Sequence, residues 1–125
     1  MNEAEAIELI ANHLSNAIGG FTVYLSVTFA YLYVAYVAGA DLSRLQFVIG
    51  SFLYVFAAFT TVMVVSINVQ VMYSLVEHVA SYSKHFENVP LWGGGFWELY
   101  MTGLQVGGIL VGLFFMWDVR HPKTE

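Results

Sequence analysis

A chain of 125 residues with 58% hydrophobic and 10% charged side chains departs from the roughly 45–50% apolar, 25% charged make-up of soluble domains. The length leaves room for one unit and no second domain. A formal charge of −5 excludes nucleic acid as a partner, because a phosphate backbone is held by a basic surface. With no cysteine, disulfides, thiolate metal sites and thiol nucleophiles are excluded too.

Residues 2–18 predict an amphipathic helix. Ala4, Ile7, Ala11, Leu14 and Ile18 recur on one side, and Glu5, Glu8, Asn12 and Asn16 fall on the other. Asn2 caps it, with Glu5 three residues on as the reciprocal partner. The acidic start lacks the cationic segment of a signal peptide. Gly19–Gly20 then allows a bend, which lets this helix lie along the membrane surface before the chain enters the bilayer; the alternative is a helix that runs straight into the first span.

The spans follow from charge. Two runs of 32 residues, 9–40 and 45–76, and one of 19, 99–117, contain no Asp, Glu, Lys or Arg. About 20 apolar helical residues cross a hydrocarbon core of about 30 Å. The first span is 21–39, and the short turn Asp41–Arg44 returns the chain antiparallel. The second helix, 45–81, is longer than the bilayer requires, so its far end projects. Lys84 to Gly95, with Pro90 and three consecutive glycines, breaks the pattern. The third span is 96–117, flanked by Trp92, Trp97 and Trp117 as interfacial anchors. The expected fold is therefore all-α, an integral membrane three-span helical bundle with an N-terminal amphipathic helix. Arg44, Arg120 and Lys123 share one end against Lys84 at the other. The excess of basic residues places the C-terminus in the cytoplasm and the N-terminus outside, in a membrane such as the bacterial inner membrane. A surface helix followed by three spans resembles the layout of bacterial membrane diacylglycerol kinases. That family's helical motif of Glu, Asn and a second Glu is missing around Ser66–Ser81, so the likeness is one of topology and does not imply the activity.

Polar chemistry gathers on two helix faces. Ser66, Gln70, Ser74 and Glu77 step along one side of the second helix. Glu98, Thr102 and Gln105 occupy the third, where Gly108 and Gly112 continue the face. With the two helices joined by the outer loop, Glu77 and Glu98 are expected at one level. Gln70 and Gln105, each seven residues deeper, are then placed to hydrogen-bond. Small residues and polar contacts hold helices together where lipid removes the hydrophobic drive. The same residues offer an alternative, a proton or cation path lined by the two faces. Against it, Phe52, Phe56, Phe59 and Met63 continue the second helix's face inward.

Gly103 and Gly107 form a small-xxx-small pair on a different face, suited to a second copy or another membrane subunit. His13, His78 and His85 are expected near one outer level, yet none has the i,i+4 spacing of a helical metal site, so no metal is assigned. Tyr24 and Tyr31 share one face of the first span, and Tyr33 and Tyr36 the other. There is no nucleophile elbow, no phosphate loop and no catalytic constellation. The sequence thus predicts a non-enzymatic structural or accessory subunit without a cofactor. Its partners are the lipid bilayer and either itself or other integral membrane subunits; the alternative is a homo-oligomeric cation or proton channel.

Overall fold

The computed structural model of the chain describes residues 2–82 and 94–121. Three helices, α1 (Glu3–Ala38), α2 (Arg44–Ala80) and α3 (Gly94–Arg120), form one all-helical bundle. Each is long and apolar enough to cross a membrane. At 1.5 Å per residue they measure about 54, 55 and 40 Å, from 36, 37 and 27 residues.

The helix starts follow local chemistry. Asn2 and Glu5 form the expected capping box, the Glu5 amide donating to Asn2 Oδ1 at 2.8 Å and the Asn2 amide to Glu5 Oε2 at 3.2 Å. A second box opens α2. The Gln46 amide donates to Ser43 Oγ at 3.2 Å, and the Ser43 amide to Gln46 Oε1 at 2.9 Å. The pattern Ser-Arg-Leu-Gln carries the capping signature in the sequence itself. Between the first two helices the chain turns through a 3-10 element, Gly39–Asp41. A Cβ at Gly39 would stand 3.0 Å from Val119 Cγ1, so the turn lies tightly against the end of α3.

No bend occurs at Gly19–Gly20. The amphipathic segment is helical but continuous with the first span. The reason is packing. A Cβ on Gly20 would meet Val65 Cγ2 at 3.1 Å and Val64 Cγ1 at 3.3 Å, whereas one on Gly19 would meet nothing within 4 Å. Gly20 is a close-approach point for α1 on α2, and the straight helix is what uses it.

The core lies along the line where all three helices meet: Tyr24, Tyr31 and Ala35 from α1, Tyr54, Ala58 and Val62 from α2, Ile109 and Met116 from α3. Tyr31 and Tyr54 stack with centroids 4.1 Å apart and planes within 5°. Tyr24 is 4% exposed and Tyr36 78%, so the two tyrosine faces of α1 divide between core and lipid side as their spacing requires. Even in α2, the most enclosed span, only 28% of the apolar window is buried. Most of the surface is left for lipid or for other protein.

Candidate functional site

The helices end together at the basic end of the bundle. Gly39 abuts Val119, and Arg120 Nη1 donates to the Ser43 carbonyl at 3.2 Å. About 20 residues fill the hydrocarbon, so the excess length of α1 and α2 emerges at the other end, roughly as residues 3–18 and 66–80. Counted from the basic end, the polar residues singled out on α2 lie at or beyond the far limit of that thickness.

There a cluster joins α2 to α3. Ser66 Oγ donates to Glu98 Oε1 at 2.8 Å, and Gln70 Nε2 donates to the same oxygen at 2.6 Å. The expected pair of Gln70 with Gln105 is not formed. Nor are Glu77 and Glu98 level: Glu98 sits opposite residues 66–70, which leaves Glu77 seven to eleven residues, about 10–17 Å, farther out. The cause is the register of α3, set by tyrosines meeting glycines. The Tyr24 hydroxyl occupies the place where a Gly108 Cβ would stand, and a Gly112 Cβ would lie 3.1 Å from the Tyr54 hydroxyl. Loop length alone does not carry that information.

Gln105 is consequently drawn into the bundle. It is 0% exposed, and neither Nε2 nor Oε1 has a hydrogen-bond partner among the described residues. Its backbone carbonyl accepts from the Tyr24 hydroxyl at 2.8 Å. The other core hydroxyls are paired, Tyr31 with Ser51 at 2.8 Å and Tyr54 with Thr28 at 3.1 Å. Ser74 Oγ donates to its own helix, at the Gln70 carbonyl. Thr102 is half-buried and Glu77 exposed; neither makes a side-chain hydrogen bond with a described residue.

Asn68, off the polar stripe, accepts at Oδ1 from His13 Nδ1 at 2.8 Å and donates from Nδ2 to the Val64 carbonyl at 2.8 Å. This α1–α2 contact had a signal in the sequence, two polar residues on facing amphipathic segments, but only the register reveals it. His13 is thereby level with Asn68, ten residues below His78, and not level with it as expected. Among the described residues no three His, Asp or Glu side chains converge as a metal site would require. His85, Trp92, Lys84 and Lys123 lie outside the described residues. Trp97 and Trp117 are exposed at opposite ends of the third span.

The glycines of α3 separate into two sets. Gly108 and Gly112 are occupied by Tyr24 and Tyr54, while a Cβ at Gly103 or Gly107 would meet nothing within 4 Å. Four residues on from Gly107, Val111 forms one rim of an apolar groove of about 630 Å³ between α1 and α3, with Phe29, Leu32, Tyr33, Tyr36 and Phe115. The chain matches no protein-family model, no curated protein and no solved structure. It is a small membrane protein with three candidate spans.

Proposed function

We propose that this chain is a non-enzymatic membrane subunit that assembles through the Gly103–Gly107 face of α3, with itself or with a larger membrane complex. The observation that carries the reading is the division of the glycines. Of the four glycines between residues 103 and 112, Gly108 and Gly112 are used for packing inside the protomer, and Gly103 and Gly107 present open backbone. Helix association in lipid depends on such close backbone approach. Further along the bundle, the exposed Phe29 and Tyr36 line a groove with Val111 and Phe115 and add contact area of the kind interfaces use. The subunit is read as an inner-membrane protein with its C-terminus in the cytoplasm, on the basic residues at that end.

The channel alternative receives less support. Gln70 is engaged by Glu98, and the exposed residues that follow on α2 towards the basic end, Phe56 and Phe52, are apolar. A polar path confined to one boundary does not cross a bilayer.

The test is Gly107→Leu. Wedging a leucine between two backbones is expected to cost about 1–3 kcal/mol of association, a fall of roughly five- to 150-fold in the association constant. Single-molecule photobleaching in liposomes across protein-to-lipid ratios measures it. The variant's own thermal stability should not fall, since nothing lies within 4 Å of a Cβ at this position and leucine is the better helix former. An unaltered oligomer distribution, with unaltered recovery of co-purifying membrane proteins, would refute the assignment of this face.

A further inference from the structure

The basic end of the bundle holds a cleft that the assembly reading does not use. It has a volume of about 320 Å³ and lies between the start of α2 and the end of α3, lined by Arg44, Phe47, Val48, Trp117, Arg120 and His121. The arginines flank the charge-free segments of their helices, and Trp117 is the aromatic residue at that boundary. The cleft therefore lies at the depth of the lipid phosphates on that side.

Its hydrogen-bonding inventory is unbalanced. The Ser43 carbonyl already accepts from the Phe47 amide at 3.0 Å and from Arg120 Nη1 at 3.2 Å. The Trp117 carbonyl accepts from the His121 amide at 3.0 Å and from His121 Nδ1 at 3.1 Å. Those acceptors are taken. A guanidinium has five N–H donors; Arg120 commits one of its nitrogens, and Arg44 makes no hydrogen bond or ion pair with any described residue. Asp41 and Asp118 belong to the same end, yet neither lines the cleft or pairs with an arginine. What is left over is a surplus of cationic donors around a concave space.

Arg120 is also held in place. The Arg120 guanidinium sits 4.7 Å from the centre of the Phe47 ring, a cation–π contact that fixes it together with the bond to Ser43. Phe47 in turn leans on Trp117 at 6.4 Å, and His121 stacks on Trp117 at 4.1 Å. Polar groups form the rim, while Phe47, Val48 and Trp117 form an apolar wall. A planar guanidinium fork matches phosphate oxygens two at a time, and basic pockets between membrane helices suit anionic headgroups.

We propose that this cleft binds a phosphate group, held between Arg44 and Arg120 with its organic portion against Phe47 and Trp117. An anionic phospholipid headgroup and a soluble phosphate share that chemistry, and the experiment distinguishes them. The full chain in nanodiscs of phosphatidylcholine is titrated with short-chain phosphatidylglycerol, with short-chain phosphatidylcholine, and with inorganic phosphate, and bound species are counted by native mass spectrometry. A lipid site retains phosphatidylglycerol at least fivefold better than phosphatidylcholine and is little affected by millimolar phosphate. A soluble-anion site binds inorganic phosphate and shows no preference between the lipids. In either case Arg44→Gln should weaken binding roughly fivefold, the equivalent of about 1 kcal/mol for one basic residue at the surface, and adding Arg120→Gln should abolish it. Arg44 is exposed and makes no hydrogen bond or ion pair with any described residue, so its replacement is expected to leave the fold intact, and an unchanged thermal midpoint of Arg44→Gln checks this. Equal retention of both lipids with no phosphate binding, or a preference that survives the double substitution, would overturn the proposal.

Discussion

Gln105 shows how much a single side chain depends on its surroundings. The residue has the same spacing from Glu98 as Gln70 has from Glu77, so the sequence presents it as half of a pair. In the bundle it is fully buried, and its amide is unmatched among the described residues. An unpaired buried amide costs roughly 1–3 kcal/mol. Gln105→Leu, of similar size and without the polar atoms, is therefore expected to raise the unfolding midpoint of the bundle in mild detergent. A drop in that midpoint would show that the amide has a partner after all. The sharing of a face, by contrast, was readable directly: the seven-residue step from Tyr24 to Tyr31 puts both on one helix side, but only the packed bundle shows that this side, not that of Tyr33 and Tyr36, lies in the core. What the spacing did not disclose is that Gly108 and Gly112 are there to receive hydroxyl-bearing rings. Glycine has no side chain to betray its neighbour, and the same residue type serves an interior contact at Gly108 and open surface at Gly107.

At the scale of elements, the spans were legible because excluded charge is a long-range and unambiguous signal, and the structural helices begin and end within a few residues of the expected limits. Two relations between elements were not. A Gly-Gly step permits a bend but does not cause one, and here the contact of Gly20 with Val64 and Val65 keeps α1 straight. The two glycines are thus expected to respond oppositely. Gly19→Ala meets no neighbour and should stabilise by up to about 1 kcal/mol through helix propensity, whereas Gly20→Leu should destabilise by about 1–3 kcal/mol through overpacking. Thermal unfolding of the two variants separates this from a hinge, where loss of either glycine would restrain the same motion with the same sign. The second relation is the register of α3. It follows from Tyr24 against Gly108 and Tyr54 against Gly112, contacts between residues 84 and 58 positions apart. Counting residues from the connecting segment does not fix that register, which is why Glu98 lies opposite Ser66 and Gln70 and not opposite Glu77.

The whole molecule is polar along its long axis, and that asymmetry makes its orientation testable. At one end three helices finish together around Arg44 and Arg120; at the other, α1 and α2 outrun α3 and carry Glu3, Glu5, Glu8 and Glu77. Basic residues close to span ends resist translocation, while acidic ones contribute little. On the proposed orientation, Arg44, Arg120 and Lys123 are expected to act together to retain their end in the cytoplasm, against Lys84 alone. A single cysteine introduced at Thr124 is expected to be shielded from an impermeant thiol reagent in intact cells, and one at Asn88 to react; the chain has no cysteine of its own to confuse the readout. Replacing Arg44, Arg120 and Lys123 together by Gln should weaken this discrimination, since it leaves Lys84 as the remaining basic residue. Labelling at Thr124 and protection at Asn88 in the unaltered background would reverse the molecule. The protruding ends of α1 and α2, with the His13–Asn68 contact, would then face the cytoplasm, and the arginine cleft would meet the phosphates of the opposite leaflet.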